Sequence, residues 1–235
     1  MSTSVAMHMS DGLLNATTSM LFIGVAVLGL AVAAARARAT LDDRTAPMAG
    51  LVAAFLFATQ MINFPVLPGV SGHLLGGALA AILVGPWVGA LCVSIVLVVQ
   101  ALVFADGGIT ALGANITNMA LIGTAAGFLV ALALRRLAQH GRAGLVAVAF
   151  IAAVFNTVLA SVGFVVEFAM GGETSFPLGT VAATVIGVHC LIGIGEGVIT
   201  ALTVGAVAAV RPDLVYLLRG TERPLELRTA AGVAA

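Results

Sequence analysis

Four histidines stand in a chain of 235 residues, and two of them are placed to share an ion. His8 lies in Met7-His8-Met9-Ser10-Asp11-Gly12, just before the first long apolar run. His73 lies in Ser71-Gly72-His73, at the mouth of another. A neutral imidazole is the commonest protein ligand for late first-row divalent metals. Two imidazoles from separate segments can close such a site if the N-terminal segment folds inward. A histidine near a membrane interface also serves as a plain hydrogen-bonding group, and spacing alone leaves both readings open.

Other polar groups cluster around these two. Asp106-Gly107-Gly108 and Leu112-Gly113-Ala114-Asn115 occupy one loop, with Asn118 just beyond. The glycines permit tight turns. Asn115 is expected to cap a helix, and Asp106 and Asn118 to bond the N-terminal segment or His73. Gln100, within an apolar run, needs an interior partner. Loop and helix-end structure explains these groups as well as ligation does. An oxygen cage for a hard cation would want more carboxylates than this loop offers. His189 and Glu196 are seven residues apart, so they share a helical face. His189 suits a group that orients a ligand; Glu196 suits a role in holding helices together. His140 stands among arginines and reads as solvated.

The elements that must position these groups are membrane helices. The chain is 61% hydrophobic and 9% charged, with a mean hydropathy of +1.17. Soluble domains carry about 25% charged residues, so an integral membrane protein is expected. A crossing needs about 20 apolar residues. The expected fold is an all-α polytopic bundle of about seven transmembrane helices with its N-terminus outside. The spans run approximately 17–35, 47–62, 73–84, 87–104, 116–134, 144–170 and 180–210. The third is short, and Gly85-Pro86 breaks it. Small residues recur every fourth position at Gly72, Gly76 and Ala80, and at Gly193, Gly197, Ala201 and Gly205. Such stripes let helix backbones approach closely in lipid. Cys92 and Cys190 fall inside apolar runs and read as buried small hydrophobes.

Arginine sets the orientation. There is no lysine, and the ten arginines fall after the first, fifth and seventh spans. Seven crossings put all three clusters on one side, cytoplasmic by the positive-inside rule. The opposite face carries Asp11, Asp106 and Glu173, with Glu167 close by, a mildly acidic surface that suits capture of a cation. Zero formal net charge argues against nucleic acid as a partner. The chain has no GxxxxGK[ST] loop and no HExxH, so neither ATP hydrolysis by that route nor zinc proteolysis is expected. Gly193-Ile194-Gly195-Glu196-Gly197 lies within an apolar span, which makes it a packing stripe and not a nucleotide fingerprint.

The combination of MHMSDG at Met7–Gly12, SGHL at Ser71–Leu74, Gly85-Pro86, Gln100-Ala101-Leu102, Phe104–Gly108 and Leu112–Asn115 resembles the CbiM/NikM family. His189 with Gly193–Gly197, and Arg211-Pro212-Asp213, extend the likeness over nearly the whole chain. These are the substrate-binding membrane subunits of nickel and cobalt energy-coupling-factor (ECF) transporters. The resemblance implies a cell-membrane protein, bacterial or archaeal, that takes Ni²⁺ or Co²⁺ as substrate, with cobalt supplying cobalamin synthesis, and holds no permanent cofactor. Its implied partners are membrane lipid, a transmembrane coupling subunit, cytoplasmic ATPase subunits and a small accessory membrane subunit. It implies a near square-planar nitrogen site on Met7 (terminal amine), His8 (backbone nitrogen and imidazole) and His73. Ser71, Gln100, Asp106, Asn115, Asn118 and His189 become candidates to support it. Residues 1–6 depart from the pattern, because an amine ligand requires Met7 to be terminal; they read as an extension from a misassigned start. Residues 7–210 form a single metal-binding domain and 211–235 a cytoplasmic tail. A stand-alone metal channel or secondary transporter is the alternative.

Overall fold

Long apolar runs satisfy their backbone in lipid by coiling into helices, and that is what these runs do. The computed structural model describes residues 8–43, 45–67 and 70–219, and the side chains of all of these except 63–71. Helix α1 (Ala16–Ala37) opens on Asn15, whose side-chain oxygen accepts from the Thr18 amide at 2.8 Å. Helix α2 (Thr45–Gln60) opens on Asp42, which accepts from the Thr45 amide at 2.6 Å. A hairpin follows, β1 (Asn63–Leu67) against β2 (Val70–His73), antiparallel, with Asn63 opposite His73. Helix α3 (Gly77–Val84) is short. Pro86 begins α4 (Pro86–Val103), where its missing N–H costs nothing. Helix α5 (Leu112–Ala133) contains a π-helical stretch, Ile116–Gly123. After a turn of helix at Arg135–Ala138 come α6 (Arg142–Gly171) and α7 (Leu178–Val210).

Five of these helices, α1, α4, α5, α6 and α7, are long and apolar enough to cross a membrane. Among the described residues the two shorter apolar helices, α2 and α3, stand at the second and third of the expected spans. Helix α2 has 16 residues and α3 only 8. Eight residues of helix reach ~12 Å, well short of ~30 Å of hydrocarbon. The physical reason lies in the approach to α3. The chain comes off the hairpin in extended form through Leu74, Leu75 and Gly76, and only then coils. Every residue of α3 is buried, so no lipid touches the irregular backbone. Gly76, at φ +77°, makes the left-handed turn into the helix, and Gly85 at its far end lies against the Tyr216 ring.

The arginine-bearing segments gather at one end of the bundle. Arg135 donates to the Leu217 and Arg219 carbonyls, and Arg219 donates to the Thr45 hydroxyl at 3.0 Å. The N-terminal segment lies at the other end: Asn15 N–H donates to the Gly171 carbonyl at 2.7 Å, and Glu173 N–H to that of Leu13 at 3.0 Å. The small-residue stripe on α7 packs against α6, with Gly197 on Phe150, Gly193 on Val154 and Thr157, and Gly205 on Val146. The flanks expose Leu28, Leu191 and Leu202, as lipid-facing helices do. Cys92 is buried and donates to the Ala49 carbonyl, but Cys190 is exposed on the flank of α7, against the expectation that both are buried.

Gly113 of α5 meets the α1 backbone at Phe22 and Ile23 so closely that a Cβ would collide with it. Gly113→Ala is expected to cost about 1–3 kcal/mol through forced backbone separation, read as a lower thermal midpoint in detergent. Gly195→Ala, where a Cβ meets nothing within 4 Å, should leave the midpoint unchanged.

Candidate metal centre

The first described residues are threaded into the bundle by bonds to its loops. Asn115 accepts from Met9 N–H at 3.1 Å through its carbonyl oxygen and donates to Met9 C=O at 3.2 Å. Gly108 N–H donates to the same carbonyl at 2.9 Å. One oxygen of Asp11 accepts from the Thr110 amide at 2.7 Å and the Thr110 hydroxyl at 2.6 Å. The Thr110 side chain, with its amide, holds the Asp11 carboxyl below the ordinary carboxylate range despite some desolvation. Gly108 has no Cβ because the Asp11 amide occupies that space. Asn115 therefore clamps the N-terminal segment, where the sequence suggests a helix cap.

This threading brings His8 to His73. Their Nε2 atoms are 3.1 Å apart, and the rings meet edge to face with centroids 4.6 Å apart. Both are buried, at 4% and 2% exposure. Nδ1 of His73 lies 2.7 Å from the Leu74 carbonyl, which can only accept. The proton of His73 is therefore on Nδ1, and Nε2 offers its lone pair toward His8. Without metal, Nε2–H of His8 is the donor across the pair. Nδ1 of His8 faces the Asp106 carboxylate at 3.7 Å, an electrostatic contact longer than a hydrogen bond. Burial first, and the neighbouring His8 second, push the His73 pKa down to about 3 from an ordinary 6.5. A neutral imidazole is the form that ligates metals.

The pair borders a cavity of about 40 Å³ that is also lined by Met9, Asn115, Asn118, Ser161, Phe164 and His189. That is room for an ion or a water molecule or two, and too little for an organic substrate. His189 is the third imidazole on this cavity; its Nδ1 donates to the Val185 carbonyl at 2.7 Å. No cluster of three or more His, Cys, Asp or Glu side chains able to hold a metal occurs among the described residues.

The remaining candidates separate. Asn118 lines the cavity, but its amide donates to Glu167 at 2.6 Å, away from the N-terminal segment. Glu167 is only 1% exposed, so it belongs to the interior and does not add to an acidic surface. Of the carboxylates expected on this face, Asp11 and Glu173 stay exposed, while Asp106 is buried beside His8. Gln100 is fully buried in α4 and does not line the cavity; its own carbonyl accepts from the Asp106 amide at 3.0 Å. Ser71 pairs with Pro65 in the hairpin, and its side chain lies outside the described residues, as does Met7.

Sequence reasoning passed over Gln60, Asn156 and Thr157. Gln60 donates to the Leu75 carbonyl at 2.8 Å, and Asn156 and Thr157 donate to Glu196, each at 2.8 Å. Their one available signal was polarity inside apolar spans, and Asn156-Thr157 sits in the middle of the longest such run before α7.

A helical membrane bundle that closes two imidazoles over an ion-sized cavity is a multi-pass membrane protein of the ion-handling class. The chain belongs to the CbiM family, whose matched region, residues 8–214, is described as a cobalt uptake substrate-specific transmembrane region. It is 43% identical over 213 residues to a putative fused nickel transport protein, NikMN, of Archaeoglobus fulgidus, covering 89% of this chain and 68% of that one. It is 32% identical over 221 residues to a cobalt transport protein, CbiM, of Sorangium cellulosum, covering 91% and 96%. A crystal structure of a transition metal transporter superposes with a TM-score of 0.79 at 28% identity, covering 91% of this chain and all of the other.

The depressed pKa of His73 has a consequence for acid stability. Below pH 6.5 the unfolded chain takes up a proton on this imidazole that the folded chain refuses until about pH 3. The stability contribution is present above pH 6.5 and declines by about 1.4 kcal/mol per pH unit below it. The thermal midpoint of metal-free protein should fall between pH 7 and pH 5, and His73→Gln should flatten that fall.

Proposed function

We propose that this chain is the substrate-binding membrane subunit of an ECF-type transporter that imports Ni²⁺ or Co²⁺ across the cell membrane. The observation that carries the reading is the convergence of the His8 and His73 Nε2 atoms, 3.1 Å apart, on an ion-sized cavity. The names of its relatives, nickel transport and cobalt transport proteins, support the same substrate class. Nitrogen donors in a tetragonal set favour such metals over Ca²⁺ and Mg²⁺. ATP hydrolysis is assigned to separate cytoplasmic subunits, joined through a transmembrane coupling subunit and a small accessory membrane subunit.

In this reading the metal is chelated by the Met7 amine, the His8 amide nitrogen and the His8 imidazole, with His73 Nε2 as the fourth donor. A six-membered chelate ring through the His8 amide closes at Nδ1, because Nε2 is too far round the ring. In the structure Nδ1 faces Asp106 and Nε2 faces His73. Chelation through Nδ1 would need that atom turned from Asp106 toward the His8 amide. The amide proton and the proton of the Met7 ammonium would leave as metal enters, while Nε2–H stays on a His8 ring bound through Nδ1, so affinity rises with pH. The amine donor exists only on a chain that begins at Met7. Asn115 and Gly108 hold Met9, the residue beside the chelate.

Purified protein with Met7 as its sequenced N-terminus should bind Ni²⁺ and Co²⁺ in titration calorimetry, and His73→Ala should lose at least 100-fold in affinity, the upper range for removing a ligand's support. Wild-type affinity in His73→Ala would refute the site. Metal uptake into vesicles should require co-reconstituted ATPase and coupling subunits; uptake by this chain alone would refute the proposed subunit role in favour of a channel or secondary transporter.

A further inference from the structure

We propose that Glu196 is a positioning residue of the metal centre, acting on His73 through the Leu74–Leu75 peptide group. The inference rests on the proposed function for the identity of the ligand and extends it to a carboxylate on another helix.

Glu196 lies in α7 and is 2% exposed. It accepts four hydrogen bonds. Oε2 takes the Leu75 amide at 2.7 Å and the Thr157 hydroxyl at 2.8 Å. Oε1 takes the Gly76 amide at 2.9 Å and the Asn156 side chain at 2.8 Å. The three N–H groups can only donate to these oxygens, and the Thr157 hydroxyl also lies 3.0 Å from the Ala153 carbonyl. Two of the N–H groups are successive backbone amides just ahead of α3, a concave nest that suits an anion. The Leu75 and Gly76 amides lie ahead of α3 and outside its ladder, which starts at the Gly76 carbonyl, so Glu196 fixes the segment from one side. Gln60, from α2, fixes the Leu75 carbonyl from the other.

One peptide group joins this carboxylate to the metal ligand. The Leu75 N–H that donates to Glu196 and the Leu74 C=O that accepts from His73 Nδ1 belong to the same planar unit, with 2.7 Å on each side. Glu196 thereby sets the peptide plane, the plane presents its carbonyl to Nδ1, and Nδ1–H leaves the Nε2 lone pair toward the cavity. Metal-bound histidines commonly donate their second N–H to a carboxylate or carbonyl, which fixes the tautomer and strengthens the ligand. Here the two partners act in series, polarising one peptide between them. In Glu196→Gln the side-chain amide brings N–H donors toward groups that already donate, so the peptide loses its anchor.

The test uses purified full-length chain with Ni²⁺ alone as probe. Glu196→Gln is expected to weaken Ni²⁺ binding about 10–100-fold. Gln60→Met, which loosens the neighbouring peptide without touching the carboxylate, should weaken it several-fold and serves if Glu196→Gln fails to fold. Gly205→Ala, which crowds Val146 at the α6–α7 seam away from Glu196, should stay within about twofold of wild type, the spread expected of context effects. Histidine ¹⁵N spectra of metal-free protein should show His73 as the Nδ1–H tautomer in wild type and as a mixture in Glu196→Gln. Unchanged affinity and tautomer in Glu196→Gln and Gln60→Met overturn the inference, as does an equal loss in Gly205→Ala, which would mark general packing damage. If wild type itself binds no Ni²⁺, the proposed function fails, while the tautomer comparison still decides whether Glu196 governs His73.

Discussion

A backbone amide inside a membrane bundle has no water to bond, and this constraint governs the binding end of the protein. His73 must sit deep enough to be shielded from solvent, so the chain has to carry it inward in a non-helical form. That exposes the peptides of Leu74, Leu75 and Gly76 to an apolar interior. Glu196, Gln60 and His73 itself supply the missing partners. An unmet buried donor costs about 1–3 kcal/mol, so each of these side chains is a condition for the extended entry. The short buried α3 and the glycines at both its ends follow from it.

The same logic holds for the N-terminal segment. Met9 has no strand or helix to pair with, and Asn115 bonds both its N–H and its C=O as a neighbouring strand would. Gly108 closes in from the other side. Leu13 and Leu14 then pair with the end of α6 through Glu173 and Gly172. The imidazole of His8 is thus held by a segment that contributes little structure of its own and borrows it from three loops.

Much of the architecture was legible in the sequence because lipid imposes a coarse and strict code. Charge poverty announced the membrane, apolar run length announced the helices, and the arginine clusters announced which ends belong together, as Arg135 and Arg219 now show by their bonds. The proximity of His8 and His73 was legible only as a shared depth; the 3.1 Å contact depends on loop geometry that hydropathy does not encode. The third span reads as short in the sequence, but its helix starts at Gly77 and not at His73, because a helix period and an extended entry look alike over four residues. Asn156 and Thr157 stayed silent because a polar pair in an apolar run does not name its partner, and Glu196 lies 39 and 40 positions away. The inward turn of Asp106 and Glu167 was silent for the same reason: no sequence distance reports a contact made across helices.

The threaded N-terminus has a consequence for biogenesis. His8 belongs to the first part of the chain to be synthesised, yet the groups that grip its segment, Gly108, Thr110, Asn115 and Gly171–Glu173, are made much later. The pocket cannot close while the polypeptide is still emerging. A half-inserted chain therefore lacks the bonds that bring His8 to His73, and their contact reports that the bundle has taken its place at least to the end of α6.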